Sequence, residues 1–456
     1  MARNGMKVSV VMPAYNEEDG VGATAKDFRA LGFVDEIIVV DNNSTDATAA
    51  VAEGAGAKVV KEEKQGYGNA CIRALKEAKS DIVVLVESDG TFSAADLIGM
   101  LDALEEADFV SGSRTFPAMN ESGADMSWYK VAGNRILGKL VSWLYGCEPL
   151  TDIGSTFVAV RRKSLERFVD KLHIGDSSFS SEMYVAAASS GAITAQMPVR
   201  YRHRIGKSKL SSGHLSSLKI GFKHLKHVFA LRKIYPKAGR PSFYYRHPFV
   251  FRAISKLMYA GSYLEKFRKA SDVLEEGASA LDVCCADATL FDIAKGKRIK
   301  YAGVDVNARF VRLAKKKGID ARRMNVETAD ALPEADYVVM LSSLYQFIPR
   351  HEEIIDKMVA AARKKVVVSE PVKNLASSRN RIIASAAGRL SDPGTGIKTH
   401  RFDENALKEM IKDRSVTDSG IICGGKEFFF VIDAAAEKAR ASRKALSDNA
   451  DSRFDA

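Results

Sequence analysis

"DIVVLVESDGTF", residues 81–92, carries five apolar residues in a row onto two acids, Glu87 and Asp89, with Ser88 between them and Gly90 following. Either that end lies in water and the charges are incidental, or a cation sits between them. The run is strand-sized and belongs to a series. "VSVVMPAY", "DEIIVVDN", "KVVKE" and "DFVSGSR" read as further strands between residues 8 and 115. "EDGVGATAKDFRAL", "DATAAVAEGAG", "GNACIRALKEAK" and "SAADLIGMLDALEEA" read as the helices that connect them, the last with Ser93 and Asp96 at capping-box spacing. Alternation at this pitch predicts βαβ units, a parallel sheet and right-handed crossovers.

In such sheets ligands bind beyond the carboxyl ends of the strands. That edge gathers Pro13, Tyr15, Asn16 and Glu17, then Asp41 to Ser44, then Glu87 and Asp89, then Ser113 and Arg114. Four strand ends therefore predict one crevice lined with acids and small polar groups. Two carboxylates one residue apart can hold Mg²⁺ or Mn²⁺, which also take oxygens from a substrate diphosphate. A lone E-x-D recurs by accident, so the neighbouring motifs must carry the reading.

A second alternating series starts near residue 280: "SALDVCCA", "YAGVDVN", "ARRMNVE", "ADYVVMLSS" and "KKVVVSEP". It closes on "GIICGGKEFFFVI", where Gly424 and Gly425 read as a hairpin turn. The expectation is a second α/β domain with an antiparallel edge, followed from about 436 by a polar tail that frays.

With 456 residues the chain is too long for one ordinary core. No apolar run reaches the roughly 18 residues of a membrane span, and "MARNGMKVSVV" has no signal-peptide core, so the expectation is a cytoplasmic protein. Five scattered cysteines suggest neither a disulfide framework nor a zinc site. The net charge of +11 is local: residues 201–270 hold 17 Lys or Arg against the single acid Glu265.

"VVMPAYNEEDG", "IIVVDNNSTDAT", "KQGYGNACIRALKEAKSDIVVLVESDGTF", "DFVSGSR" and "TDIGSTFVAVRR", in this order, resemble family 2 glycosyltransferases of the GT-A fold, most closely the dolichol-phosphate mannosyltransferase-like branch. The resemblance covers residues 6 to about 212. It implies nucleotide contacts at Pro13, Tyr15, Glu17 and Asp41, and a metal at Asp89, with Glu87 replacing the family's first Asp. It implies phosphate contact at Arg114. "RIGKSKL" resembles the family's phosphate-clamping loop, which implies the same for Arg204, Lys207 and Lys209. Asp152 occupies the acceptor-side motif and would serve as base for a hydroxyl acceptor. Lys130 and Arg135 fall where relatives hold the acceptor phosphate. The branch's acceptor is a polyprenyl phosphate, already a nucleophile at neutral pH.

Within the basic stretch, Leu218, Phe222, Leu225 and Phe229 have helical spacing beside Lys219, Lys223 and Lys226. Such a helix suits an anionic bilayer surface, or packs between two domains with its cations in solvent. No nucleic-acid motif accompanies the charge, so no nucleic-acid partner is expected.

Residues 271–433 resemble class I S-adenosylmethionine-dependent methyltransferases through "ALDVCCADATLFDIAKGKRIKYAGVDVN", "MNVE", "ADYVVMLSSLYQF" and the terminal hairpin. The resemblance implies that Asp282 and the turn Cys284-Cys285-Ala286-Asp287-Ala288 face the methionine part of the cofactor. Asp305 would take its ribose, and Asn325 to Glu327 its adenine. The family's glycine-rich turn reads here as Cys284-Cys285-Ala286-Asp287-Ala288; glycine there allows close backbone approach and unusual dihedrals, and alanine restricts both.

The expected organisation is a GT-A domain at 1–215, a basic amphipathic connector at 216–270, a Rossmann-like class I methyltransferase domain at 271–435 and a tail at 436–456. The expected function is inverting transfer of a hexose from a nucleoside-diphosphate sugar to a polyprenyl phosphate, peripherally on the cytoplasmic face of a membrane, with a fused methyltransferase. The alternative is a glycosyltransferase with a soluble or glycan hydroxyl acceptor and a non-catalytic second domain.

Overall fold

The computed structural model describes residues 5–122, 124, 126–206, 214–235, 245, 248–259, 261–373 and 401–451. The chain divides into two compact units, Met1–Ala238 and Gly239–Ala456.

The first unit holds a seven-stranded sheet: β1 (Val8–Ala14), β2 (Glu36–Asp41), β3 (Lys58–Lys61), β4 (Ile82–Leu85), β5 (Phe109–Ser113), β6 (Val158–Arg161) and β7 (Thr194–Pro198), in the order β3-β2-β1-β4-β6-β5-β7. β1 is buried along its whole length, as expected of a central parallel strand covered on both faces. β1 to β4 pair in parallel, as the βαβ reading predicts. The expectation of an all-parallel sheet fails at β6, which lies between β4 and β5 and runs antiparallel to both. The chain crosses to it through the helix Trp128–Tyr145, too far along the sequence for the local alternation to show it.

The helix Tyr67–Glu77 buries Gly68, Ala70, Cys71, Ala74 and Leu75 against β1 and β2. Gly68 donates its N–H to the Gly175 carbonyl at 2.8 Å, and a Cβ on Gly68 would lie 2.1 Å from the Ile174 oxygen. Only glycine fits there, and the contact fixes Tyr67 at the edge of the crevice. The capping box expected at Ser93 and Asp96 does not form. The helix starts at Asp96, whose carboxylate accepts from the Arg200 backbone N–H (2.6 Å) and Nε (2.9 Å), while Ser93 Oγ accepts from Arg202.

The expected connector at 216–270 is not one element. The helix His214–Ala230 belongs to the first unit: Val228, Leu231 and Tyr235 are buried in its core, and the Tyr145 hydroxyl donates to the Val228 carbonyl at 2.6 Å. The two phenylalanines of the expected apolar face are therefore not docked. His224 and Val228 turn inward, whereas Phe222 and Phe229 stay exposed.

The second unit holds β8 (Ser279–Val283), β9 (Lys300–Asp305), β10 (Asp320–Arg323), β11 (Ala335–Leu341), β12 (Ala362–Pro371), β13 (Val416–Ile422) and β14 (Glu427–Asp433), in the order β10-β9-β8-β11-β12-β14-β13. β8 to β12 are parallel, and β14 runs antiparallel between β12 and β13. The hairpin turns on Gly424 (φ +63°) and Gly425 (φ +85°), so the expected antiparallel edge is present. The tail expected to fray from 436 begins instead as the helix Ala434–Asp451. Glu437 holds it down by accepting from the Ser415 N–H at 2.7 Å.

Gly68→Ala forces a side chain into main-chain oxygen, so it should lower the stability of the first unit by about 2–4 kcal/mol. Chemical denaturation followed by tryptophan fluorescence measures this, because Trp128 and Trp143 both lie in that unit.

Candidate functional site

The carboxyl ends of β1 and β2 are laced together by short polar side chains. The Ser44 hydroxyl accepts from the Asn16 N–H (3.0 Å), Asn16 Oδ1 from the Thr45 N–H (2.7 Å), and Asp41 Oδ1 from the Ser44 N–H (3.1 Å). Asn16 (φ +51°) and Asn43 (φ +62°) take the left-handed backbone that asparagine tolerates. Next to them the Pro13 carbonyl accepts from Ser88 Oγ at 3.0 Å, the Glu17 N–H donates to Thr48 at 2.8 Å, and Tyr15 lies at the surface. Pro13, Tyr15, Glu17 and Asp41 are thus brought to one edge with the β4 acids.

Glu87 and Asp89 lie beyond the last paired residue of β4, Leu85. Glu87 Oε1 accepts from the hydroxyls of Tyr67 (2.6 Å) and Thr156 (2.5 Å). Burial, with the Asp89 charge adding to it, holds the Glu87 carboxyl above the usual carboxylate range. Asp89, 2% exposed, accepts on Oδ1 from the Thr91 N–H (3.0 Å) and hydroxyl (2.6 Å). Its Oδ2 meets Arg204 Nη2 at 2.5 Å, and Arg204 Nη1 lies 3.7 Å from Glu17 Oε1. The loop that carries Arg204 is anchored to the same turn, by Arg202 N–H to the Thr91 carbonyl (2.7 Å) and Ile205 N–H to the Asp89 carbonyl (2.9 Å). Gly90 (φ +74°) leaves room for the Ile205 side chain. Lys207 and Lys209 lie outside the described residues.

Arg114, just past β5, grips Asp152 with Nε to Oδ2 (2.9 Å), Nη2 to Oδ1 (3.0 Å) and its backbone N–H to Oδ2 (3.0 Å). The Gly154 N–H also donates to Asp152 Oδ1 at 3.0 Å, and a Cβ on Gly154 would sit 2.9 Å from the guanidinium. Burial would raise the Asp152 pKa, but Arg114 and these backbone donors hold it below the usual carboxylate range. This geometry does not suit the base role expected for Asp152: it is fully buried, both oxygens are occupied, and it is a weak proton acceptor. The Arg114 guanidinium also lies 5.4 Å from the centroid of the Tyr201 ring. Arg135 donates to the Thr115 carbonyl at 2.7 Å, and Lys130 stands on the first turn of the same helix.

Tyr67, Thr91, Thr156 and Tyr201 shape this site without having been assigned roles in the sequence. Tyr67 and Thr156 do fall inside "KQGYGNACIRALKEAK" and "TDIGSTFVAVRR", yet pairing them with Glu87 needs the fold.

In the second unit Asp282, the 284–288 turn, Asp305 and Asn325 to Glu327 all lie at the carboxyl ends of β8, β9 and β10. The turn keeps the glycine-type conformation without glycine: Cys284 (φ +61°), Ala286 (φ +45°) and Ala288 (φ +55°) are all left-handed, at a cost on the order of 1 kcal/mol each. Asp305 accepts from the Ala286 N–H (3.0 Å) and the Asn307 N–H (2.8 Å). Asn325 Oδ1 accepts from the Glu327 N–H at 3.1 Å, which ties that pair together. Burial pushes Asp282 up to about 7, although the Tyr301 hydroxyl donates to it, and Asp305 up to about 6. At the end of β12, burial and then the Glu427 charge push Glu370 up to about 8.

Comparison with known proteins matches residues 9–169 to the family model "Glycosyl transferase family 2" and residues 265–396 to "Methionine biosynthesis protein MetW". Glycosyltransferase AglJ of Haloferax volcanii is 34% identical over 200 residues, 43% of this chain, which spans 63% of that protein's length. An uncharacterized glycosyltransferase of Mycobacterium tuberculosis is 35% identical over 220 residues, 47% of this chain and 94% of the relative. A dolichyl-phosphate hexose transferase of Haloferax volcanii is 31% identical over 205 residues, 44% of this chain and 86% of the relative. Both units have the expected folds, GT-A in the first and methyltransferase-like in the second.

Asp152→Asn leaves Arg114 buried against a neutral partner and should destabilise the first unit by about 3 kcal/mol or more. Unchanged denaturation with lost turnover would instead identify Asp152 as a base. In the second unit the folded pKa values of three acids exceed the unfolded range near 4, so protons leave the unfolded chain first as pH rises. The unit should therefore lose stability between about pH 4 and 8, and Asp282→Asn should flatten that slope. Circular dichroism melts that are silent in tryptophan fluorescence report the second unit.

Proposed function

Because the chain belongs to glycosyl transferase family 2, we propose that its first unit transfers a hexose from a nucleoside-diphosphate sugar to a polyprenyl phosphate, with inversion. The observation that carries this is the convergence of Glu87, Asp89, Glu17 and Arg204 at the carboxyl ends of β1 and β4.

The residues present fit a divalent cation shared with the substrate. Glu87 Oε1 and Asp89 Oδ1 are taken by hydroxyls, so the oxygens for the ion are Glu87 Oε2 and Asp89 Oδ2, the latter shared with Arg204. Among the described residues no three acidic, His or Cys side chains gather into a cage, so most of the ion's oxygens would come from the diphosphate. When bound, Mg²⁺ or Mn²⁺ would neutralise the departing diphosphate. Tyr67 and Thr156 orient Glu87, Thr91 orients Asp89, and Arg204 supplies positive charge for phosphate. Pro13, Tyr15 and Asp41 line the edge proposed for the nucleotide.

The state of Asp152 favours a phosphate acceptor over a hydroxyl. A hydroxyl needs a base, and this carboxylate is consumed by Arg114, whereas a phosphate oxygen attacks unaided. The name of the dolichyl-phosphate hexose transferase relative points to the same acceptor class. Lys130 and Arg135 are the proposed acceptor-phosphate contacts.

A membrane surface is the natural place to meet such an acceptor. The helices Trp128–Tyr145 and His214–Ala230 pack together and carry large apolar groups at the surface: Trp128 is 80% exposed and Phe222 70%, with Ile136, Trp143 and Phe229 also exposed. Lys139, Lys219 and Lys226 are exposed on the same helices, the mixture that suits anionic headgroups. Among the described residues no helix is long and apolar enough to cross a membrane.

For the second unit we propose S-adenosylmethionine, held by Asp282, Cys284 and Ala286 of the strained turn, by Asp305, and by Asn325 and Glu327. Three acids of weakened acidity at one strand edge favour a cationic ligand, and a sulfonium is one.

Radiolabelled sugar should enter the organic phase when the protein is given nucleotide sugar, Mn²⁺ and polyprenyl phosphate. Asp89→Asn should reduce this at least about 100-fold; label that stays in the aqueous phase on a hydroxyl product would defeat the acceptor assignment. Phe222→Ser with Phe229→Ser should weaken flotation with vesicles containing anionic lipid about tenfold or more while leaving the melting temperature in place.

A further inference from the structure

We infer that Arg204 competes with the divalent cation for Asp89 Oδ2, so that the cation binds strongly only when a diphosphate draws the guanidinium away. The inference rests on the cation reading above and concerns what regulates that site. The Arg204 Nη2 to Oδ2 distance is 2.5 Å. A hard cation such as Mg²⁺ takes an oxygen ligand at roughly 2.0–2.1 Å, and two positive groups on one oxygen of a nearly buried carboxylate repel each other. The rest of Asp89 offers no way round, because Oδ1 is committed to Thr91.

The guanidinium can leave without the loop. The backbone stays pinned by Arg202 N–H on Thr91 and Ile205 N–H on Asp89, and Gly206 (φ +86°) turns the chain just beyond. Rotation of the side chain then suffices, and Glu17 Oε1, 3.7 Å from Nη1, is a second anion within reach. A nucleoside diphosphate supplies a better partner, since its oxygens accept the guanidinium in bidentate fashion. Donor and cation therefore strengthen each other's binding through Arg204, and by linkage the effect is mutual. The site favours the cation that arrives with its substrate over a stray one.

The test is Mn²⁺ binding to the full chain, read by electron paramagnetic resonance of free Mn²⁺, with and without UDP or GDP. Arg204→Met, which keeps the long stem and removes the charge, should bind Mn²⁺ alone at least about fivefold more tightly than wild type. It should also lose part of the tightening that the nucleotide brings. Arg204→Lys should restore the wild-type pattern in part. If Asp89→Asn abolishes Mn²⁺ binding while Arg204→Met leaves the affinity unchanged or weaker, the competition is overturned and the cation site stands. If Asp89→Asn binds Mn²⁺ as wild type does, the cation reading falls and the competition falls with it.

Discussion

A carboxylate with 2% of its surface exposed must be met by donors or by positive charge, and the first unit is arranged around meeting that demand at Asp89. Thr91 satisfies one oxygen from two residues away; Arg204 satisfies the other from more than a hundred residues away. The pairing obliges the segment after β7 to return across the end of β4, and so closes the crevice on that side. Arg114 and Asp152 repeat the logic at the end of β5, where the pair is more deeply buried and bidentate. One pair is poised to exchange partners, and the other is a fixture.

Much of this edge could be read from the sequence because period and spacing are local properties. The five strands of the first series, the acids after β4, and the glycine pair turning β13 into β14 are all set by residues close in the chain. What could not be read was set by distant partners. Glu87 gives no sign in its own neighbourhood that Tyr67 and Thr156, 20 and 69 residues away, will occupy one of its oxygens. Asp152 looks like an available base until Arg114 is seen to enclose it. Ser93 and Asp96 have the spacing of a cap, yet Arg200 and Arg202 outbid that local bond with charge. In the helix His214–Ala230 the periodicity was real, yet Phe222 and Phe229 stay exposed while His224 and Val228 turn inward, because only tertiary packing chooses the docked face.

The second unit shows the same division. Its turn lacks the glycines of the family it resembles, and the alanines there restrict the backbone. The structure has Cys284, Ala286 and Ala288 in left-handed conformations nonetheless, held by Asp305 through the Ala286 N–H. Strain retained at a strand edge is more often kept for a purpose than left by chance. Deeper in, Lys266 is buried with Glu427 at 2.7 Å, and Ser342 donates to the same carboxylate at 2.8 Å. This polar knot ties the hairpin strand β14 to the end of β11.

The placement of β6 bears on how the chain comes to be folded as it is made. β4 and β5 do not pair with each other; Val158–Arg161 lies between them and joins β5 to the strands already assembled. A nascent chain that has emerged as far as residue 115 thus owns five strands and can assemble four, leaving β5 with both edges bare until some forty more residues leave the ribosome. Closure of the sheet waits on a long-range event, and the interval is the time when β5 is most open to a wrong neighbour.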